Sequence, residues 1–594
     1  MMFQALPLLS VVPLVAAGLL ILAMHRDQAS KYIAMAGSLI SLLVIAVVVL
    51  YYVGGAYSVG WFSVAGYTFH ITTTVMPLNA LLLALVGIVT PLIFWYSFGY
   101  MDTRSEQSRY YFEMSLFAAA MMLFAISGNF ITIFIAWEML GITSYLLIGF
   151  WYAKKVVPDA ARKAISTILI GDILFLAAII VLWSAYHTLN IQALLSITGS
   201  SLYLKVALAF ILVAAFTKSA QFPFNEWLSD AMEGPTPVSA FLHSSTMVKA
   251  GVFLVAILLP LYARAGLLMP ILAIGIITAV IAVMNALSEH HIKKILAYST
   301  MEDLALMFVA LGFNNIFAAM MLFVVQTFYK ALLFMSAGSM MKATGEEDIY
   351  KMYNLGMRTG RLLYISTIIG VLSLAGIFPL GGFFGKLGVD ASSSSMYVYL
   401  ILVAIDFLSS LYIFRWLYIP SRKNSGVSSF GYRTIPRSMM APIAILAVLV
   451  LASGLAYLLL PMYYTAMVRF NIGLLGPLVE TALVLAGIGS AYILYSRGKA
   501  PHVDASSLRY KLLHNSFFIN AFYVSLLKGI EALGEGFDAV NDSINGVLNS
   551  GAYSFVVFGN ALKRIENGSI NTYAIAFAAG IIFLVIVFAM NLIK

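Results

Sequence analysis

Charged side chains sit where this sequence is otherwise built for lipid. Glu138 lies near the centre of FITIFIAWEMLGITSYLLIGFW, Asp172 follows Gly171 in the next apolar run, and Lys218 closes a third just before Pro223. His243 and Lys249 share the run after that. Lys330 is central in LFVVQTFYKALLFMSAG, Lys386 follows the break in AGIFPLGGFFGKLG, and Asp406 is midway along a later run. Lys293, Lys294 and Asp303 stand at or near the start of another. One charge at mid-bilayer costs at least about 2.5–3.5 kcal/mol, so such residues face a cavity or a partner.

The residue types favour proton chemistry. Burial favours the neutral form of a lysine or a carboxylic acid, and an opposite charge nearby favours the ionised form. A buried acid–lysine pair whose separation changes therefore switches between holding and releasing a proton. Histidine titrates near neutral pH and can relay. A row of lysines and a histidine without clustered carboxylates is a poor calcium or sodium cage, so no metal site is expected. No P-loop, nucleotide fingerprint or nucleophile–base motif is present, and energy must arrive from elsewhere. Plainer roles also exist. Lys293 and Lys294 are near enough to a helix end to snorkel, Asp172 suits a structural pairing with Arg162 or Lys163, and His243 suits a hydrogen-bonded packing residue.

The elements that must position these residues are membrane helices. The chain has 594 residues, 62% hydrophobic and 10% charged, against roughly 25% charged in a soluble domain. Runs of about 20 apolar residues fall near 5–24, 32–53, 77–99, 112–127, 130–151, 163–185, 203–222, 237–259, 267–287, 293–312, 316–341, 362–388, 397–419, 440–460, 476–496 and 570–593, about 16 spans. The first has no basic leader and reads as a span, not a signal peptide. No cysteine is present, which excludes cysteine-ligated clusters, disulfides and a thiol nucleophile in this chain. No cofactor is expected.

Basic residues gather after odd-numbered spans: Arg26 and Lys31, Arg104 and Arg109, Lys154, Lys155 and Arg162, then Lys342, Lys351, Arg358 and Arg361, and onward to Arg497 and Lys499. The positive-inside rule puts those loops in the cytoplasm and both termini outside. The net charge of +9 is thereby explained without nucleic acid.

Two spans are interrupted, the seventh at Pro223 and the twelfth at Pro379 with Gly381 and Gly382. Broken membrane helices are tolerated where they line a polar cavity, and a pair in two halves of a chain points to inverted repeats around a transport path. The predicted fold is all-α and polytopic, with two inverted five-helix repeats. Its segments are residues 1–111 of N-terminal helices, 112–260 and 261–420 as the repeats, 421–514 of additional helices, 515–569 as a lateral amphipathic helix and 570–594 as a C-terminal anchor. The lateral segment spaces Leu526, Ile530, Leu533, Phe537, Val540, Ile544 and Val547 alternately by four and three, which leaves one apolar stripe along its length.

Motifs then add a resemblance. NEWLSDAMEGPTPVSAFLHSSTMVKAG, AWEMLGITSYLLIGFW, KKILAYSTM, FYKALLFMSAG, GFFGK and FLSSLYIFR resemble the antiporter-like subunits of respiratory complex I and of multisubunit cation/proton antiporters, over about residues 110–420. The amphipathic segment before a last span, introduced by LKRIENGSINTYAIAF, resembles the distal L-type subunit (chain 5). The resemblance implies a role for each matched position. Glu138 would be the fifth-helix glutamate with Lys218 as its partner, and His243 a relay with Lys249 beside it. Lys330 would be the central lysine and Lys386 the terminal one, near the exit. Apart from the resemblance, Asp172, Lys293, Asp303 and Asp390 are candidate supporting residues by their positions in the sequence. Departures are Gln326 in place of a histidine, Leu387 where an aspartate often follows the lysine, and the extra carboxylates Glu302, Asp303 and Asp406. Glu233 and Lys249 lean toward antiporter and hydrogenase relatives.

The reading is a proton-pumping subunit without a redox centre, in a prokaryotic plasma membrane, beside an M-type neighbour contacted by the lateral helix on the cytoplasmic side. Its rivals are a subunit of a membrane-bound hydrogenase or sodium/proton antiporter complex, a self-sufficient solute carrier, and a passive scaffold. The last leaves the central lysines unexplained.

Overall fold

The computed structural model describes residues 5–64, 67–101, 106–355, 359–393, 395–423, 435–463 and 475–496. The lateral segment and the sixteenth span lie outside these residues. Two compact units are present, Met1–Ser58 with Thr72–His514, and Val59–Ile71 with Asn515–Lys594. Of the second, only the tip of a hairpin is described.

Thirteen helices are long and apolar enough to cross a membrane among the described residues. They are α1 (Leu6–Met24), α2 (Asp27–Tyr51), α3 (Pro77–Tyr100), α4 (Gln107–Ile126), α5 (Phe130–Ile148), α6 (Val156–Tyr186), α8 (Thr236–Ile257), α9 (Leu268–Ser288), α10 (Ile292–Gly312), α11 (Ile316–Thr344), α13 (Met396–Ser421), α14 (Arg437–Pro461) and α15 (Gly476–Tyr495). Two shorter elements complete the series at the expected breaks. These are α7 (Leu202–Lys218) and α12, split into Arg361–Ala375 and Gly381–Asp390. The chain is a multi-pass membrane protein.

Three features differ from the sequence-based reading. First, α4 and α6 begin at Gln107 and Val156, five and seven residues before the apolar windows expected at 112 and 163. Helical hydrogen bonding continues through the polar first turns. Second, a hairpin of β1 (Ala56–Val64) and β2 (Tyr67–Thr74) joins α2 to α3, where AYSVGWFSV and YTFHITTT carry aromatic and β-branched residues suited to strands. Third, α8 is not continuous. Its halves are Thr236–Ser244 and Met247–Ile257, and the break falls at Ser245–Thr246. Side chains bond to carbonyls on both sides of the break. The Thr246 hydroxyl donates to the Phe241 carbonyl at 2.6 Å, Ser219 to that of Val248 at 2.8 Å, and Gln326 Nε2 to that of His243 at 3.1 Å. A broken helix survives in a bilayer only with such partners.

The best-buried helices carry His243, Lys249, Glu302, Asp303 and Lys330. The apolar windows of α8, α10 and α11 are 94% buried, against 33% for α2 and 22% for α15. Close crossings fix α10. A Cβ on Gly275 would sit 2.9 Å from the Ala305 carbonyl, and one on Gly312 only 2.6 Å from the Leu272 nitrogen, so α9 and α10 pack backbone to backbone, as small residues permit. Buried Arg415 of α13 donates to the carbonyls of Ala286 and Glu289 at 2.9 and 2.5 Å, and Trp416 Nε1 to that of Ile292 at 3.0 Å. α13 thereby caps the carbonyl end of α9 and is tied to the first turn of α10. This is the structural work of the motif FLSSLYIFR.

Candidate functional site

The charged residues form stations along the buried helices. At the first, Lys218 is the last residue of α7 and fully buried. Its Nζ donates to the Trp137 carbonyl at 2.7 Å, lies 4.4 Å from the centre of the Trp137 ring and stands 3.7 Å from Asp172. Trp137 Nε1 donates to the same Asp172 carboxylate at 2.6 Å. The carboxylate paired with Lys218 is therefore Asp172 of α6. Glu138, expected in that place, follows Trp137 around α5 and is half-buried, and its Oε1 accepts no hydrogen bond among the described residues. Asp172 pairs with neither candidate considered for it. Arg162 pairs with Asp159, and Lys163 with Asp230 at 2.7 Å.

α8 supplies the next station. His243 lies in the last turn of its first half, fully buried, with its ring against Phe334 at 4.8 Å between centroids. Neither ring nitrogen has a hydrogen-bond partner among the described residues. Two turns on, Lys249 Nζ donates to the Phe323 carbonyl at 2.6 Å and to Thr327 Oγ1 at 2.5 Å. Its ammonium makes no ion pair among the described residues.

α10 joins the two stations that follow. Lys330 of α11 pairs with Asp303 at 2.9 Å and donates to Ser299 Oγ at 2.5 Å. Lys386, in the second half of α12, pairs with Asp406 at 3.0 Å and Glu302 at 3.5 Å and donates to Ser409 Oγ at 2.8 Å. Glu302 also accepts from Ser409 and Tyr412, each at 2.6 Å. Glu302 and Asp303 are consecutive and so point about 100° apart around the helix, one toward each lysine. The carboxylates that seemed surplus in the sequence are the counter-charges of its central lysines.

Beyond Lys386 the acids continue. Asp390, Asp406 and Glu480 each bring one carboxylate oxygen to within 4.8 Å of the others. The sequence reading expected no clustered carboxylates, and it passed over Glu480, a lone acid in the first turns of α15.

At the basic-loop end, a cavity of about 380 Å³ opens among Trp151, Lys154, Glu233, His291, Lys293, Lys342 and Glu347. Lys293 does not snorkel. It is buried and donates to the carbonyls of Met232 and Gly234, closing the loop before α8. Lys294 is half-exposed, 3.9 Å from Glu233. His291 and Glu347 meet at 3.2 Å, and the hydrogen bond from His291 is the main cause holding the Glu347 carboxyl down to about 2.

Known proteins resemble this chain in sequence and in fold. Residues 127–411 match the family model described as NADH:quinone oxidoreductase/Mrp antiporter, TM, and residues 61–111 the one for the complex I chain 5 N-terminus. A Methanosarcina mazei protein named F(420)H(2) dehydrogenase subunit L is 32% identical, over 86% of each chain. The chain belongs to this antiporter-like family. NADH-quinone oxidoreductase subunit L of Neisseria meningitidis is 29% identical over 88% of each chain. Among solved structures, a chain of the Mrp complex from Dietzia sp. matches with a TM-score of 0.71 at 21% identity, covering 97% of this chain. The present chain spans 63% of that Mrp chain's length. A chain of the archaeal membrane-bound sulfane sulfur reductase matches with a TM-score of 0.67 at 21% identity, over 82% of this chain and 98% of that one. All the stations lie within residues 127–411. Glu480 lies beyond them.

Proposed function

We propose that the chain is the proton-translocating L-type subunit in the membrane arm of a complex I-like oxidoreductase. One observation carries this reading: Lys218, Lys249, Lys330 and Lys386 are fully or almost fully buried and succeed one another across α7, α8, α11 and α12. A lysine in that setting holds its proton while a carboxylate is near and yields it when the carboxylate withdraws or pairs elsewhere. Glu302 and Asp303 lie on one turn of α10, so a small rotation of that helix changes two pairs together. His243 would relay between Lys218 and Lys330, with Gln326 and Lys249 beside it. Protons would enter from the cavity at the basic loops and leave past Lys386.

Redox chemistry in partner subunits, with NADH, reduced F420 or a similar donor, would move the charges, and this chain would carry no redox centre of its own. The membrane is the plasma membrane of a prokaryote, with both termini outside. The lateral segment, residues 515–569, would lie on the cytoplasmic side against an M-type neighbour. A second reading, an antiporter-like subunit of a membrane-bound hydrogenase or of a sodium/proton antiporter complex, draws support from Lys249 and Glu233.

The test is donor-driven proton uptake by the purified complex in vesicles. Lys330→Met should lower uptake at least about a hundredfold, the scale of a positioned proton-transfer group, while the complex still assembles. Lys330→Arg should fail as well, because arginine keeps its proton. Wild-type uptake by the arginine variant would make Lys330 an electrostatic fixture.

A further inference from the structure

The polar row does not end in balanced charge. Asp390, Asp406 and Glu480 are 4%, 2% and 2% exposed, at the end of α12, in α13 and in the first turns of α15, away from the basic loops. Of these, only Asp406 has an ion-pair partner among the described residues, Lys386 at 3.0 Å, and Lys386 is shared with Glu302 at 3.5 Å. Four carboxylates against one ammonium would leave a net charge of −3, which a buried site does not sustain without a counter-ion or bound protons. Glu302 is provided for by two hydroxyl donors, Ser409 and Tyr412. Glu480 has none. Both of its carboxylate oxygens are buried and lack a hydrogen-bond partner among the described residues, one of them lies within 4.8 Å of the Asp390 and Asp406 oxygens, and Asp390 Oδ2 is likewise unpartnered. A protonated Glu480 would have no acceptor in hydrogen-bond contact, so protonation alone leaves it unsatisfied.

We propose that Asp390, Asp406 and Glu480 form a binding site for a divalent, calcium-class cation that ties α15 to α12 and α13. Three oxygens within 4.8 Å of one another lie within about 2.8 Å of a common point, so a shift of a few tenths of an ångström brings them to the 2.3–2.6 Å typical of calcium, whose flexible shell takes mono- or bidentate carboxylates. The ligand set is oxygen only, which selects hard cations. Charge favours two positive units over one, since a divalent ion brings −3 to −1 and a monovalent ion only to −2. Magnesium, which demands near-ideal octahedral geometry and gives up water reluctantly, suits a dry carboxylate cluster less well. The site would hold Asp406 in place while its other side faces Lys386.

Calcium binding is measured directly on the full chain purified with its associated subunits. The sample is stripped with EGTA and titrated with calcium chloride at constant ionic strength, with 45Ca²⁺ retention and the thermal midpoint as readouts. One saturable calcium per chain is expected, with a midpoint that rises and then levels off, since an ion that binds only the folded chain stabilises it by mass action. Glu480→Gln and Asp390→Asn should each abolish saturable binding, Glu480→Asp should weaken it, and Asp159→Asn, at an exposed pair far along the chain, should not change it. Glu480→Asp keeps the test informative if the glutamine variant fails to fold. Absence of binding in the wild type, equal binding in all variants, or saturation by sodium but not calcium would each overturn the proposal.

Discussion

Lys218 and Lys386 both flank a proline break, yet their surroundings are opposite. Lys218 has one carboxylate, 3.7 Å away, and its closest contact is a backbone carbonyl. Lys386 touches two carboxylates at 3.0 and 3.5 Å, with two further acids behind one of them. One half of the molecule holds a positive charge loosely, and the other holds it firmly. Lys249, between them, is held by a carbonyl and a hydroxyl alone. Lys330, also between them, has Asp303 at 2.9 Å, so carboxylates gather toward the Lys386 half of the row.

The comparison is broken most directly by removing each lysine. Lys386→Met strands Asp406 and takes the ammonium from Glu302, and breaking a buried pair costs about 3–5 kcal/mol. Lys218→Met should cost clearly less, because Asp172 keeps the indole donor of Trp137 at 2.6 Å. Thermal inactivation of the purified complex reads both, and equal losses would erase the asymmetry. The double variant Lys386→Met with Asp406→Asn should recover part of the loss, since neighbours in one ion network are not additive.

A smaller effect separates two acids. Asp172→Asn removes the carboxylate nearest Lys218 while keeping an oxygen for Trp137. It should lower proton uptake roughly a hundredfold, and Glu138→Gln less than about tenfold. The reverse order would return Glu138 to the place that the family resemblance gave it.

The residues that stood out in the sequence did so for a physical reason: one lysine in an apolar run has no innocent explanation near mid-bilayer. Their partners were harder to see. Asp406 is as central in its span as Lys330, but what it faces depends on how α12 and α13 are rotated, which no periodicity in a uniformly apolar helix reveals. Glu302 and Asp303 looked like residues near a helix start, although α10 is buried along almost its whole length. The break in α8 was hidden because serine and threonine are compatible with a helix and show their use as carbonyl partners only once the neighbouring helices are in place. The breaks at Pro223 and Pro379 were legible because proline lacks the required donor.

A still smaller change is expected at Lys249. With no carboxylate partner to strand, Lys249→Met replaces a buried ammonium by an apolar side chain of similar length. Such replacements range from neutral to stabilising by about 1–4 kcal/mol. The thermal midpoint should hold or rise even as proton uptake falls. A clear drop in midpoint would mean that the bonds to Phe323 and Thr327 support α8 and α11 more than they serve transport.

The smallest effect belongs to the mouth of the cavity, where His291 and Glu347 meet. Glu347 lies in a loop outside the spans, its carboxyl held at about 2 against an ordinary 4.5 by the hydrogen bond from His291 and the charges of His291, Lys293 and Lys154, with burial opposing them. A carboxyl depressed on folding adds stability that is complete above its unfolded value and lost as the pH falls through its folded value. The contribution of Glu347 should therefore be constant from pH 7 to about 5, shrink below the ordinary value of 4.5 and vanish near 2. Because the side chain is exposed, solvent screening keeps it below about 1 kcal/mol. Glu347→Gln should lower the midpoint slightly at pH 7, with the gap closing between pH 4.5 and 3 in any detergent the complex tolerates. A gap that stays constant across that range would place the value of the pair in packing, and the charge at this mouth would then do nothing to hold the loop that Lys293 closes.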